Sequence, residues 1–250
     1  AASLIHEIGA TKRFQRSHEE NEQREKLYKG DYTLIEQDGV PLIRLTDKET
    51  GSYIDVMPQK GNTLVSMNLP VDGKQVEVFY YPDIKGSGGI PILWPFANRI
   101  EKGIFTFDGV RHELSGISGT KDDASGHTYH GMVRSVPWKV AEIGNDNGVY
   151  IKAYLDSTDY PAIEEHFGKS RITVTYRLKG QELTVEAIVE NKEKVKRFPM
   201  SLAFHPWFNA PVTEVGERKD VRVTIPAGRR WVASEEFIPD QDPQAPAPTP

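Results

Sequence analysis

The chain has 250 residues, room for one large β domain or two small ones. Its mean hydropathy of −0.52 and the lack of any apolar run of bilayer length fit a soluble chain rather than a membrane-spanning one. A net charge of −5 with no long basic run argues against nucleic acid as a partner, and the absence of cysteine excludes disulfides and thiolate zinc sites.

Residues 1–30 are charged and sparsely apolar, and read as a solvated N-terminal extension; residues 31–250 read as one domain. From Tyr32 the pattern becomes that of strands. Tyr32–Ile35 and Pro41–Leu45 flank Asp38-Gly39, a hairpin signal. Ser52–Met57 and Gly61–Leu69 read as further strands, and Asp72-Gly73 turns the chain into Gln75–Tyr80. A central stretch from Gly88 to Trp138 follows, rich in Gly, aromatic and donor residues. Gly88, Gly89 and Pro91 open it, which implies a turn or a close backbone approach. Asp108-Gly109 joins the strand pair Ile104–Phe107 and Val110–Leu114.

Trp138–Ile143 and Gly148–Leu155 pair around Asn145–Asn147. Residues 156–167 carry Glu164 and Glu165 beside His166 and read as a solvated loop, since neighbouring residues on an extended chain point to opposite sides. Ile172, Val174, Tyr176 and Leu178 then alternate with Arg171, Thr173, Thr175 and Arg177. Beyond the turn at Gly180, Leu183, Val185, Ala187 and Val189 repeat the alternation, giving an antiparallel hairpin with one buried face. Val221–Ile225 reads as one more strand. Short strands without a long helix between them imply an all-β fold, a large antiparallel β-sandwich.

Three blocks resemble the galactose mutarotase (aldose 1-epimerase) family: GGIPILWPFANRI (Gly88–Ile100) followed by G-x-F-x-F-x-G, then HGMVRSVPW (His130–Trp138), then SLAFHPWFN (Ser201–Asn209) against that family's H-P-Y-F motif. The blocks stand in the family's order, and the resemblance runs from about Tyr32 to Pro239. It implies an extended sandwich with a sugar site on a concave face, and interconversion of α and β anomers of free hexoses such as galactose or glucose. His205, held beside Pro206, is then the acid that protonates the sugar ring oxygen, a task suited to an imidazole. His130 sits in the sugar site and assists binding and charge stabilisation, while Asn98 and Arg99 bind substrate. Trp207, next to the acid, is the candidate stacking platform; Trp94 and Trp138 read as core.

No metal or other cofactor is expected, because the HTYH run from His127 to His130 lacks a third ligand. The partner is a small sugar, with the protein a monomer or homodimer. The compartment is cytoplasmic or, since the chain starts Ala1-Ala2-Ser3 without Met, periplasmic or secreted. The resemblance also implies a glutamate base in a strand well beyond the histidine motif. The sequence stops before that region, so the domain is expected to be incomplete at its C-terminus. Two alternatives stand beside the free-sugar enzyme. One is a non-catalytic carbohydrate-binding protein on the same fold; the other is a hexose-6-phosphate 1-epimerase, which needs extra cations around Arg99 and Arg134.

Overall fold

Strand-forming residues separated by Asp-Gly turns fold the first third of the chain into a five-stranded antiparallel meander. The computed structural model describes residues 29–239 apart from 194, 227 and 230, so the N-terminal extension lies outside the described residues. The strands are β1 (Gly30–Gln37), β2 (Val40–Asp47), β3 (Tyr53–Met57), β4 (Thr63–Val71) and β5 (Lys74–Glu77), in that order across the sheet. At Asp38-Gly39 and Asp72-Gly73 both turn residues have positive φ, as the tightest hairpin turns require. This sheet is covered on both faces. Ile43, Leu45 and Ile54 face the main core, while Leu42, Met57 and Val65 pack against Ile84 on the outside.

A second sheet contains β11 (Lys139–Gly144), β12 (Val149–Asp156), β13 (Ser170–Lys179) and β14 (Glu182–Asn191). Its register matches the alternation in the sequence: Ile172 opposes Val189, Val174 opposes Ala187, and Tyr176 opposes Val185. Ile172, Val174, Tyr176 and Leu178 are wholly buried against the first sheet, which makes the pair a sandwich. Polar ties also cross it. Tyr176 Oη donates to the carbonyl of Asn62 at 3.0 Å. Buried Asp47 accepts N–H bonds from Glu49 and Thr50 in its own turn, and from Gly180 in the β13–β14 turn at 2.7 Å.

Between the sheets in sequence lie short strands that build the site: β6 (Ile92–Leu93), β7 (Arg99–Ile100), β8 (Ile104–Phe107), β9 (Val110–Glu113) and β10 (Thr128–Tyr129), joined later by β15 (Ala203–Phe204). Two expectations are corrected. Residues 156–167 are not a solvated loop, because Pro161–Phe167 forms a helix, α1. Pro161 sits in its first turn, Gly168 follows its end, and Ile163 and Phe167 share one buried face at i, i+4. Val221–Ile225 forms no strand. Its apolar residues are exposed, Val223 by 77% and Ile225 by 74%. Alternation yields a strand only where a neighbour completes the hydrogen bonds, and no described residue pairs with this segment.

No described helix is long and apolar enough to cross a membrane.

Asp47 gives the sandwich its sharpest test. Asp47→Ala strands several backbone donors at a buried position, and urea denaturation should show a loss of about 2–4 kcal/mol. Tyr176→Phe removes one hydrogen bond between the sheets and should cost about 1 kcal/mol.

Candidate functional site

The segment carrying His205 is held on both sides by backbone hydrogen bonds. β15 pairs antiparallel with β6, Ala203 opposite Leu93 and Phe204 opposite Ile92. The pairing continues past the strand ends: His205 N–H donates to Pro91 O at 3.1 Å and Trp207 N–H to Gly89 O at 2.8 Å. On the other side Tyr80 N–H donates to Trp207 O at 2.8 Å, and Asn209 bonds Glu77, Val78 and Phe79 through backbone and side chain. The two glycines that open the central stretch make this contact feasible. A Cβ on Gly88 would lie 2.4 Å from Tyr80 O, and one on Gly89 would lie 2.2 Å from Leu64 O.

His130 is brought in from the opposite wall. β10 pairs with β7, Tyr129 opposite Arg99, and His130 N–H donates to Asn98 O at 2.8 Å. His130 has left-handed backbone, φ +63°, unusual for a residue other than Gly, Asn or Asp. Gly131 follows at φ +71°, so close to Trp94 that a Cβ would lie 2.4 Å from its carbonyl oxygen. Met132 N–H then donates to Trp94 O at 2.9 Å.

The result is a chain of rings along one cleft of about 650 Å³. His130 and His205 stand edge to face with centroids 5.3 Å apart. His205 and Trp207 follow at 5.8 Å, and Tyr129 packs on His130 at 5.0 Å. Trp207 is 41% exposed and offers a flat face to the cleft, whereas Trp94 and Trp138 are buried in the core. Burial, and then the positive charge of Arg134, push the His130 imidazole down to about 4. At neutral pH His130 is therefore uncharged, and its buried Nδ1 has no partner within the protein. The imidazole edge that lines the cleft can make a neutral hydrogen bond to a ligand hydroxyl, but it brings no positive charge.

Asn98 and Arg99 lie outside the cleft wall. Arg99 Nε donates to Asp123 at 2.7 Å, and its guanidinium lies over the Phe237 ring at 4.8 Å. Asn98 Oδ1 accepts from Arg99 at 3.2 Å, and Asn98 Nδ2 reaches Phe237 O at 3.5 Å. Asp123 also accepts the backbone N–H groups of Ser125 and His127. Those backbone bonds and Arg99 hold its carboxyl below the usual range. Asp123 is thus the ion-pair partner of Arg99.

Buried His127 is a structural brace. Its Nδ1 accepts the backbone N–H of Lys102 at 3.0 Å, so Nε2 carries the proton and donates to Glu236 at 3.2 Å. This contact pins residues 233–239 against the central loop. Among the described residues no group of three His, Asp or Glu side chains is arranged to hold a metal ion.

The cleft also collects residues that motif reading passed over: Lys60, Tyr81, Lys85, Lys121 and Arg134. Arg134 lines the cleft and bonds Tyr129. The one sequence signal for Lys60 and Lys85 is indirect. Gly88 and Gly89 announce a close approach: Gly89 meets the start of β4, just beyond Lys60, and Gly88 follows shortly after Lys85.

Comparison with known proteins places this arrangement. The family model for aldose 1-epimerase matches residues 41–248, and the chain belongs to that family. It is 29% identical over 177 residues to an uncharacterized isomerase of Saccharomyces cerevisiae, covering 66% of this chain and 48% of that one. It is 31% identical over 147 residues to galactose mutarotase of Sus scrofa, covering 57% of this chain and 38% of the other. The chain therefore spans about half or less of the length of these relatives. In fold it is similar to a galactose mutarotase-like protein from Clostridium acetobutylicum, with TM-score 0.70 and 20% identity over 89% of this chain and 66% of that one. A GalM/aldose epimerase homologue from C. elegans superimposes with TM-score 0.57 and 17% identity, covering 86% of this chain and 61% of that one.

Gly131→Ala tests how the cleft is built. The substitution forces a Cβ into Trp94 O at a backbone angle that alanine disfavours. The expected outcome is a loss of stability of about 2–4 kcal/mol and a loss of sugar binding, read by thermal melting and calorimetry.

Proposed function

We propose that this chain carries the sugar site and the acid of an aldose 1-epimerase that interconverts α and β anomers of a hexose. The observation supporting this most is that His205 and His130 converge from two separately braced walls on one cleft, beside the exposed face of Trp207.

Anomerisation requires the pyranose ring to open, the C1–C2 bond to rotate and the ring to close again. Opening needs a proton delivered to the ring oxygen while another leaves the C1 hydroxyl. His205 is the proposed donor to the ring oxygen. It is exposed to the cleft, and backbone bonds from both neighbours of its segment fix its position. His130, uncharged, is proposed to orient a sugar hydroxyl through the part of its ring that lines the cleft. Trp207 is proposed to stack on the C–H face of the ring. Asn98 and Arg99 are proposed to act on the substrate indirectly, by holding the backbone that presents His130. No carboxylate lines the cleft among the described residues, and none of them is proposed as the base.

The test is polarimetry on freshly dissolved α-glucose and α-galactose with the full-length protein. Acceleration of anomeric equilibration above the buffer rate supports the reading; tight sugar binding without acceleration makes the protein a carbohydrate-binding module instead. His205→Asn keeps polarity but donates no proton near neutral pH, and turnover should fall by roughly 10²–10⁴ with little change in KM. His130→Asn should raise KM as well as lower turnover. The pH profile provides an independent check. His130 is neutral above about 4 and gains a proton only as pH falls through that value. Activity that needs its neutral form should therefore survive through pH 5.5 and collapse near pH 4, whereas an unshifted imidazole would give that limb near 6.5.

A further inference from the structure

Behind the wall that carries His130 lies a short turn that does not itself enter the cleft. Ala233 bridges Pro239, Ser234 N–H donates to Ile238 O at 2.8 Å and Phe237 N–H donates to Ser234 O at 2.9 Å, so residues 233–239 close on themselves. None of them lines the cleft. Two of them nevertheless reach its wall. The Glu236 carboxylate accepts from Nε2 of buried His127 at 3.2 Å, and bonds from Ser125 and then from His127 hold its carboxyl below the usual range. The Phe237 ring lies 4.8 Å from the Arg99 guanidinium, and Asn98 Nδ2 reaches the Phe237 carbonyl at 3.5 Å.

From these contacts a continuous set of bonds runs to His130. The His127 N–H and Arg99 Nε donate to the two carboxylate oxygens of Asp123, at 2.9 and 2.7 Å. Arg99 stands opposite Tyr129 in the β7–β10 pair, and Asn98 O accepts the His130 N–H. On its other side His127 accepts the N–H of Lys102. Lys102, His130 and Phe237, three left-handed residues that are neither Gly, Asp nor Asn, thus all sit on one path. Such residues persist only where their surroundings over-determine them. Stripping a buried donor of its acceptor costs free energy of the same order as one strained residue. The bond between His127 and Glu236 is therefore strong enough to matter for the conformation of His130.

We propose that Glu236 and Phe237 are positioning residues: from outside the cleft they hold His130 in its left-handed, cleft-facing conformation, Glu236 through His127 and Asp123, Phe237 through Arg99 and Asn98. The task given to His130 rests on the sugar-site reading above; the positioning itself does not. An imidazole released from this wall leaves its buried place and moves away from Arg134, and both changes ease its protonation. The groups whose charge acts on His130 are Arg134, His205 and Arg99, and the lysines of the cleft are cations too. Removing the Glu236 charge alone would make an imidazole harder to protonate, the opposite sense. Easier protonation of His130 on loss of Glu236 therefore reports movement.

The experiment is an NMR titration of the histidine rings of the full-length protein, from about pH 3.5 to 7.5, with the His130 signal assigned by its loss in His130→Asn. In the wild type the His130 midpoint falls at about 4. In Glu236→Ala and in Phe237→Ala it should rise by about one unit or more, toward the ordinary imidazole value. Glu236→Gln keeps an oxygen that accepts from His127 Nε2 and should retain the wild-type midpoint. Lys139→Gln, which removes a lysine paired with Asp159 elsewhere on the surface, should leave it unchanged. The difference is already readable at pH 5.5, so a variant that unfolds in stronger acid still gives an answer. A wild-type midpoint in both alanine variants, whatever happens to their melting temperatures, overturns the proposal, and so does an equal rise in Glu236→Gln. Anomer exchange on glucose provides a second arm. The alanine variants should raise KM by roughly tenfold, and the acid limb of their activity should move up with the His130 midpoint. A raised midpoint in a protein whose wild type anomerises no sugar leaves the positioning standing and sinks the epimerase reading.

Discussion

Everything at the site depends on three close backbone contacts: Gly88 against Tyr80, Gly89 against Leu64, and Gly131 against Trp94. Each leaves no space for a side chain, and each places one wall of the cleft on a strand or segment of the sandwich. Through Gly89 the first sheet touches the loop that pairs with the His205 segment; through Gly131 the His130 turn rests on the chain just beyond β6. The two histidines are far apart in sequence and share no secondary-structure element. Their separation of 5.3 Å is therefore set by backbone packing, and little of it depends on side-chain preference.

Backbone strain is concentrated in the same region. Among the described residues nine non-glycine residues are left-handed, and six of them are Asp or Asn, which tolerate that conformation. The other three are Lys102, His130 and Phe237. Lys102 gives its N–H to His127, His130 faces the cleft, and Phe237 lies under the Arg99 guanidinium. Each costs on the order of 1–3 kcal/mol, and each persists because its neighbours fix it. At His130 the strain turns the imidazole into the cleft and also puts it where burial and Arg134 keep it neutral. Conformation and protonation state at this residue thus have a common origin.

The sheets were legible in the sequence because their signals are local. Asp-Gly turns and strict alternation in 170–189 specify strand pairs within about twenty residues of each other, and the observed register follows them. The helix at Pro161–Phe167 was also locally encoded, by Pro161, Gly168 and the Ile163–Phe167 spacing, but the paired acids drew the reading toward a loop. What local pattern could not supply was long-range chemistry. Arg99 meets Asp123 across 24 positions and His127 meets Glu236 across 109, and nothing near either residue in the sequence marks its partner. The same holds for the cleft lysines, which come from three separate segments and look like ordinary surface residues until the fold gathers them.

Two arginines near His130 show how placement decides what a charge does. Arg99 is neutralised by Asp123, covered by Phe237, and set behind the backbone that carries His130. Its field still helps to keep His130 neutral, though less than that of Arg134, and its bonds stiffen the β7–β10 pair. Arg134 has the same guanidinium, but it faces the cleft and pairs with no acid among the described residues. Its field therefore reaches His130 and any ligand beside it, in a region where partial burial weakens solvent screening. Exchanging these environments would reverse both roles without altering either residue. The motif records the type of side chain, while the partners assembled by the fold determine whether its charge braces the backbone or faces a substrate.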